Sequence, residues 1–390
     1  MNGQPREISI QLDETLALRQ IIADALDQDF SLSLWRLPDS EEKNLIVCTT
    51  GASIVDELSI EDSVPGFLIT PFDLERPRLF LRADQSYVFL AGKLTQASQP
   101  IEEQFSTRRD IRYHIHKDHA PVHARPEQSF IKIVSKALEA IRHGRFEKVV
   151  PSRSKEVALP PSFEPLDLFQ QLCDTYPHAF ISLSSTPQCG TWIGASPELL
   201  VSVDANQTFR TMAVAGTQKL SPGADPRNVA WTQKEIEEQA MVSRYIINCF
   251  KQIRLREFTE HGPKTWTAGH LIHLRTDFEV DMGATNFPQL GTVMTKLLHP
   301  TSAVCGMPME EALEFLDTHE GYDRQLYAGY LGPVNHKQAS HLFVNLRCMQ
   351  LQEGTAILYA GAGVTEDSNP EKEWEETEMK MNTLLQILQA

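Results

Sequence analysis

The sequence predicts an α+β fold in which largely antiparallel β-sheets are flanked by helices. Two observations predict this class: β-like runs and helical patterns occur in separate blocks, and they do not alternate strictly as parallel βαβ units would require. The chain has 390 residues, of which 41% are hydrophobic, so it can bury one large core or two ordinary ones. Because we find no internal repeat, low-complexity tract or obvious linker, we expect one integrated domain over residues 1–390.

The first clear element is an amphipathic helix that precedes a short strand. Residues 1–120 mix short apolar runs with polar turns and contain no group of residues typical of a site, so we interpret them as a scaffold. Over 129–144, apolar residues recur at helical spacing, and Gly144 ends the pattern. A strand is expected next at 147–150, where Pro151 favours an edge or a bulge.

Further strands and two long helices follow toward the C-terminus. The predicted elements are, in chain order, strands at 179–185, 191–203 and 208–216, a helix at 228–258, a hairpin-like pair of strands at 342–352 and 355–364, and a closing helix at 370–388. Glu353 and Gly354 join the two strands of the pair, as expected for a tight turn.

Composition and charge exclude several classes of function. Lys and Arg total 36 against 52 Asp and Glu, and the formal charge of −16 opposes binding to nucleic acid or an anionic membrane. A small dianion could still bind where lysines, arginines or a metal supply local positive charge. The six cysteines are scattered without a CxxC pair, so we expect reduced, mostly buried thiols. A polar N-terminus and the lack of a run of about 18 apolar residues predict a cytoplasmic protein with no membrane partner.

Two pairs of glutamates have the spacing that lets each pair share one helix face. Glu373 and Glu376 lie three residues apart in the closing helix, and Glu235 and Glu238 repeat that spacing in the 228–258 helix. Such carboxylates suit Mg²⁺, which commonly takes only one or two protein carboxylates. A solvated acidic face is the more common explanation for either pair alone.

Residues in and near the predicted hairpin could bind an anion. Gly361 and Gly363 end a strand, where glycines let backbone N–H groups approach an anionic ligand closely. Arg347, expected in the neighbouring strand, could offer a bidentate fork to a carboxylate or lie exposed across the sheet. His273 matches a packed histidine more often than a catalyst.

Seven sequence blocks are informative when they are read together and in order. They are EKVVPSR (147–153), IGASPELLV (193–201), VAGTQ (214–218), LIHLRT (271–276), LLHPTSAVCG (297–306), YDRQLYAGYLG (322–332) and AGAGVTEDSNPEKEWEETEMK (360–380). Together they resemble the chorismate-binding enzymes, a family that includes the isochorismate, salicylate, anthranilate and aminodeoxychorismate synthases. The resemblance makes about 126–390 the catalytic portion and matches 1–120 only loosely. It implies the fold of anthranilate synthase component I.

The resemblance also implies a magnesium site and a site for chorismate. Glu238 and Glu376 would bind Mg²⁺, and Glu235 and Glu373 would hold its water molecules. The residues implied to bind the substrate are Tyr327, Arg347, Gly361, Gly363 and Lys380 at its carboxylates, and Thr217, His273 and Ala303 elsewhere in the pocket. The metal, the arginine and the lysine would supply the positive charge that a dianion needs in an acidic protein.

Four residues in the blocks indicate which reaction of the family to expect. In members that add water to C2 of chorismate, a lysine in the KVV block is the general base, and Lys148 stands there. Ammonia-using anthranilate synthases typically have Gln at this place. Glu198 matches the acid that protonates the departing C4 hydroxyl. Ala215 replaces the covalent lysine of aminodeoxychorismate synthases, and Ala303 favours isochorismate over salicylate synthases, so we expect a Mg²⁺-dependent isochorismate synthase.

Two alternatives stay open from the sequence. A salicylate synthase shares the lysine base but then eliminates pyruvate from isochorismate and releases salicylate. A degenerate chorismate-binding protein is suggested by departures from the family pattern at Pro151, Gln218 and Gln239. Since the expected nucleophile is water, we expect no glutamine amidotransferase subunit, and the family resemblance favours a monomer.

Overall fold

Seven helices lie within the residues that the computed structural model describes, which are 13–99, 111–116, 126–219, 225, 228–268 and 271–389. They are α1 (Glu14–Asp27), α2 (Glu127–Arg142), α3 (Pro165–Thr175), α4 (Gln233–Gln252), α5 (Leu290–Leu298), α6 (Met309–Glu320) and α7 (Pro370–Leu388). Residues 1–12, 100–110 and 117–125 of the predicted scaffold and its border lie outside the described residues.

The strands in this part of the chain form two nine-stranded sheets and one two-stranded sheet. In spatial order, the first sheet contains β7 (Lys93–Ala97), β6 (Gln85–Leu90), β2 (Lys43–Cys48), β1 (Ser31–Arg36), β10 (Phe180–Thr186), β11 (Gly190–Ser196), β19 (Cys348–Leu351), β20 (Thr355–Gly361) and β9 (Ser152–Ala158). The second sheet contains β14 (Thr259–Ala268), β15 (Leu271–Asp281), β13 (Thr208–Lys219), β12 (Leu199–Val203), β18 (Ser340–Val344), β17 (Tyr330–Val334), β4 (Gly66–Thr70), β5 (Arg78–Arg82) and β3 (Ser53–Val55). The small sheet pairs β16 (Gly306–Met307) with β8 (Lys148–Val149).

The described strand pairings are antiparallel throughout, which confirms the predicted α+β class with antiparallel sheets. Strands from the first quarter of the chain pair within both large sheets: β1 lies beside β10, and β4 lies beside β17. Part of the predicted scaffold is therefore built into the same sheets as the later strands.

The two large sheets share one apolar core. Phe180 of the first sheet stacks on Phe343 of the second with ring centroids 4.2 Å apart, and Trp35 of the first sheet contacts Phe67 of the second in a tilted arrangement with centroids 5.4 Å apart. A second core covers the other face of the first sheet with α1, α3 and α7. Burial of these aromatic and aliphatic side chains is the main contribution that holds the layers together.

Two further predictions concern cysteines and membrane segments. All six cysteines are unpaired, as predicted, and five of them are buried. None of the described helices combines the length and the apolar composition that crossing a membrane requires.

Helix limits follow local capping signals. α7 spans the predicted residues because the Asn369 side chain accepts a hydrogen bond from the Lys372 N–H at 2.9 Å, and Pro370 is the first helical residue. The predicted helix at 228–258 is too long at both ends. α4 begins only after Thr232, whose side chain forms a capping box with Glu235, and ends before Arg254, which has a φ of 61°.

The prediction that Arg347 lies in a continuous strand is wrong. β18 belongs to the second sheet and β19 to the first, so the chain crosses between sheets at 345–347. Asn345 N–H donates to Gly329 O at 2.7 Å, which diverts the chain, and Arg347 has a φ of 48° that no strand residue adopts. Arg347 therefore lies at the junction of the two sheets.

Candidate active site

Two crossings between the large sheets place Glu198 beside Arg347. The chain passes from β11 to β12 at 196–198 and returns from β18 to β19 at 345–347. The crossings are bonded to each other, since Ala195 N–H donates to Arg347 O at 3.0 Å and Val344 N–H donates to Glu198 O at 3.0 Å. Backbone hydrogen bonds thus hold a carboxyl and a guanidinium at one junction.

Lys148 reaches the same region from the small sheet. Its neighbour Val149 exchanges two backbone hydrogen bonds with Val364, of 3.1 and 2.8 Å, just beyond the end of β20. Lys148 is only 1% exposed, and its Nζ donates to Glu238 Oε1 at 2.8 Å. A Cβ on Gly363 would lie 2.7 Å from that oxygen and 3.1 Å from Lys148 Cε, so a larger residue would force these two side chains to shift.

Glu198 is a buried carboxyl surrounded by cations. It is 6% exposed, and burial raises its pKa to about 7, against the opposing charges of Lys148, Arg347 and Lys380. Thr301 Oγ1 donates to Glu198 Oε1 at 3.4 Å. A carboxyl with this pKa is substantially protonated at neutral pH, which is the state that a general acid needs.

Three lysines pair with three of the four predicted metal-site glutamates. The Nζ–Oε1 pairs are Lys148–Glu238 at 2.8 Å, Lys234–Glu373 at 2.9 Å and Lys380–Glu376 at 2.6 Å. Burial alone would lower the pKa of Lys234, but the charges of Glu373, Glu238 and Glu376 raise it. The structure therefore brings carboxylates from α4 and α7 close enough to act on one amine.

The pKa values of these glutamates reflect the same crowding. Burial raises the pKa of Glu373, and the nearby charge of Glu376 raises it further, against the attraction of Lys234. Burial would also raise the pKa of Glu238, but the charge and hydrogen bond of Lys148 hold it below its ordinary value. A further cation bound between α4 and α7 would therefore reduce the repulsion between these carboxylates.

The glutamates offer donors of the kind that Mg²⁺ prefers. Within the described residues, no three His, Cys, Asp or Glu side chains converge closely enough to hold a metal by themselves. Mg²⁺ does not require this, because it commonly binds one or two carboxylates and keeps water or substrate oxygens as its other ligands. The charges of three carboxylates already favour a cation at this position, as their effect on Lys234 shows. Their oxygens are hard donors, so the site suits Mg²⁺.

Glu235 is positioned differently from the other three glutamates. Its Oε2 accepts hydrogen bonds from Thr232 N–H at 2.7 Å, Thr232 Oγ1 at 2.9 Å and Gln218 Nε2 at 2.8 Å. That oxygen caps the first turn of α4. Only Oε1 is left for the predicted role of holding a metal-bound water.

Most of the predicted substrate-binding residues surround this cluster. The Arg347 guanidinium has no hydrogen bond or salt bridge to any residue in the described part of the chain, and it lines a cavity of about 230 Å³ together with His273. Lys380 Nζ donates to Gly361 O at 2.8 Å, and a Cβ on Gly361 would lie 3.1 Å from the Tyr327 hydroxyl. The N–H donors of the Arg347 guanidinium are therefore available to bind an anion such as a carboxylate.

His273 is held as a neutral acceptor. Burial lowers its pKa to about 3, helped by the charge of Arg347. Its Nδ1 lies 3.0 Å from Gly216 O, which accepts the ring proton, and 3.2 Å from Thr217 Oγ1. The buried Nε2 has no hydrogen-bond partner among the described residues, so its lone pair is available to a substrate hydroxyl.

Sequence reasoning missed Thr301 and Lys234. Thr301 lies in the LLHPTSAVCG block, two residues before the half-buried Ala303, but nothing local shows that it contacts Glu198. Lys234 precedes Glu238 by one helical turn, a spacing that the sequence displays. Its observed partner is instead Glu373 on another helix, which only tertiary packing can specify.

The three departures from the family pattern make structural contacts. Gln239 is buried and donates to Ala213 O at 3.1 Å and Thr276 Oγ1 at 3.0 Å. Gln218 supports the cap on Glu235, and Pro151 O accepts a hydrogen bond from Ala362 N–H at 3.1 Å. These contacts anchor α4 and the end of β20, and none displaces a predicted catalytic group.

Comparison with known proteins identifies the family. Residues 77–389 match the family described as chorismate binding enzyme. Isochorismate synthase EntC of Escherichia coli (strain K12) is 29% identical over 269 residues, which cover 67% of this chain and 68% of that protein.

Two solved structures share the fold. The menaquinone-specific isochorismate synthase MenF of Escherichia coli has a TM-score of 0.76 at 20% identity, covering 99% of this chain and 95% of that one. Anthranilate synthase component I of Streptococcus pneumoniae TIGR4 has a TM-score of 0.65 at 18% identity, covering 98% and 95%. Because the family match spans most of the sequence, this chain belongs to the chorismate-binding enzymes.

Proposed function

We propose that this protein is an isochorismate synthase, which adds water to C2 of chorismate as the C4 hydroxyl departs. The observation that carries the proposal is the burial of two groups in one region, the amine of Lys148 and the carboxyl of Glu198, which are close enough for the charge of Lys148 to act on Glu198. A base and an acid in one dry cluster are what this exchange of hydroxyl groups needs. Relatives named isochorismate synthases support the same assignment.

The proposed reaction assigns one proton transfer to each group. Lys148, whose ammonium has first given a proton to solvent, takes a proton from the attacking water as the new C2–O bond forms and the ring double bonds shift. Glu198, protonated near neutral pH because burial raises its pKa to about 7, gives its proton to the departing C4 oxygen, which leaves as water. The enzyme ends with an ammonium and a carboxylate, and proton return through solvent restores both groups.

Substrate binding follows from the distribution of charge. Arg347 would bind one carboxylate of chorismate, because its guanidinium is not engaged by any described residue. Lys380 and the backbone at Gly361 and Gly363 would bind near the other carboxylate. Glu238 and Glu376 would hold Mg²⁺, with Glu235 and Glu373 binding its waters. When bound, the ion would neutralise the ring carboxylate of the substrate.

A single incubation tests the proposal against its alternatives. Purified protein is mixed with chorismate and MgCl₂, and the products are separated by chromatography. Isochorismate without pyruvate is the expected result. Equal amounts of salicylate and pyruvate would assign the protein as a salicylate synthase instead. Chorismate binding without any product would point to a degenerate binding protein.

A further inference from the structure

Arg153 joins the strand that follows Lys148 to the helix that carries Glu373 and Glu376. It lies in β9, opposite Ala360 of β20, and is 1% exposed. Its side chain makes three contacts with α7. They are a cation–π contact with the Trp374 ring at 3.6 Å to the centroid, a hydrogen bond from Nε to Thr377 Oγ1 at 2.7 Å, and an ion pair with Glu378.

These contacts lie on a different face of α7 from the predicted site residues. At about 100° per residue, the centre of the group Trp374, Thr377 and Glu378 lies roughly a third of a turn around the helix from the midpoint of Glu373 and Glu376, and Thr377 is the member nearest to Glu373. A roll of α7 by one residue would carry both site carboxylates away from α4. Arg153 contacts α7 at two successive turns, so it opposes such a roll.

Stability alone does not explain a buried guanidinium at this place. Removing a charge from water is costly, and well-packed apolar residues often stabilise a core as well as a buried ion pair does. Arg153 instead restricts how α7 is rotated about its own axis, because its Nε–H reaches the Thr377 hydroxyl only in the observed rotation of the helix. Thr377 is itself oriented, since its hydroxyl donates to Trp374 O at 2.7 Å.

We propose that Arg153 is a positioning residue that fixes the rotation of α7 and thereby sets the affinity of the Glu373 and Glu376 face for Mg²⁺. This inference rests on the proposed function at one point, the binding of Mg²⁺ by these helices. Arg153 itself contacts neither the metal site nor the substrate site.

The test uses substitutions that leave the site glutamates unchanged. Thr377→Val removes the acceptor of the Nε hydrogen bond with little change in volume, and Thr377→Ser restores a hydroxyl. Arg153→Lys keeps the charge but cannot make the contacts with Thr377 and Glu378 in the same geometry. Lys155→Met is the matched control, because Lys155 lies on the same strand and pairs with the same Glu378 at 2.9 Å from the solvent side.

Mg²⁺ binding is measured by calorimetric titration of each folded protein with MgCl₂ alone. We expect Thr377→Val and Arg153→Lys to weaken Mg²⁺ binding roughly tenfold, as loss of one charge-assisted hydrogen bond would. Thr377→Ser and Lys155→Met should stay within about twofold of the parent, below the effect expected for a lost hydrogen bond. Saturating MgCl₂ should restore turnover of Thr377→Val, which a general loss of structure would not allow.

Two outcomes would overturn the inference, and they differ. If the parent binds Mg²⁺ and Thr377→Val binds it equally well, the positioning role is wrong while the proposed function stands. If the parent binds no Mg²⁺, the metal part of the proposed function fails and this inference fails with it.

Discussion

Replacing Glu198 by glutamine should stabilise the fold while it abolishes turnover. Burial raises the pKa of Glu198 from 4.5 to about 7, so above neutral pH the folded protein must keep a carboxylate that water no longer solvates. Glutamine has nearly the same shape and can still accept the hydrogen bond from Thr301. The glutamine amide is not acidic enough to protonate the departing C4 hydroxyl, so catalysis is lost.

The size of the stabilisation follows from proton linkage. Because the pKa is higher in the folded state than in the unfolded state, folding takes up a proton between pH 4.5 and about 7. The contribution of Glu198 to stability is therefore lost as pH rises through this window. At about 1.4 kcal/mol for each tenfold change in acidity, the loss above pH 7 is about 3 kcal/mol. Glu198→Gln should recover most of that free energy of unfolding.

Urea unfolding at two pH values measures the effect. At about pH 8.5 the variant should exceed the parent by about 3 kcal/mol, and at about pH 5.5 by only about 1 kcal/mol. Glu353→Gln, at an exposed turn, is the control and should leave the free energy of unfolding unchanged at both values. A gain of equal size at both pH values, or no gain at pH 8.5, would refute the reasoning.

Three further perturbations test the assigned roles. Lys148→Ala should lower kcat by roughly 100-fold or more while chorismate still binds, as measured by steady-state kinetics and calorimetry; near-normal turnover would remove Lys148 as the base. Arg347→Met should raise KM for chorismate by roughly 10-fold or more, because its fork has no other partner; an unchanged KM would contradict this. Gly363→Ala should lower kcat in steady-state assays, since the added Cβ would lie 2.7 Å from Glu238 Oε1 and would push this carboxylate away from Lys148; a kcat equal to that of the parent would contradict this.

The sequence predicted those parts of the fold that local chemistry specifies. α7 spans 370–388 as predicted, because its cap, its first proline and its apolar spacing are all local signals. The same local spacing placed Glu373 and Glu376 on one face. The family resemblance of the seven sequence blocks then predicted that Glu238 of a second helix would lie near these two glutamates. The structure agrees, since the charges of all three glutamates raise the pKa of Lys234.

The sequence could not predict the two crossings that place Glu198 and Arg347 together. Apolar residues continue with strand-like spacing through 191–203 and 342–352, so nothing local marks where the chain changes sheets. The break at Arg347 depends on hydrogen bonds to residues far away in the sequence. The partners of Glu235 and Glu373 were missed for the same reason, since each pairing also involves another segment of the chain.

Isotope incorporation tests the central claim most directly. The protein is incubated briefly with chorismate and MgCl₂ in H₂¹⁸O, and the isochorismate formed at early times is examined by mass spectrometry. If Lys148 directs a solvent water to C2 while Glu198 releases the C4 oxygen, each product molecule carries one ¹⁸O at C2. Isochorismate that retains only the unlabelled oxygen would contradict the account.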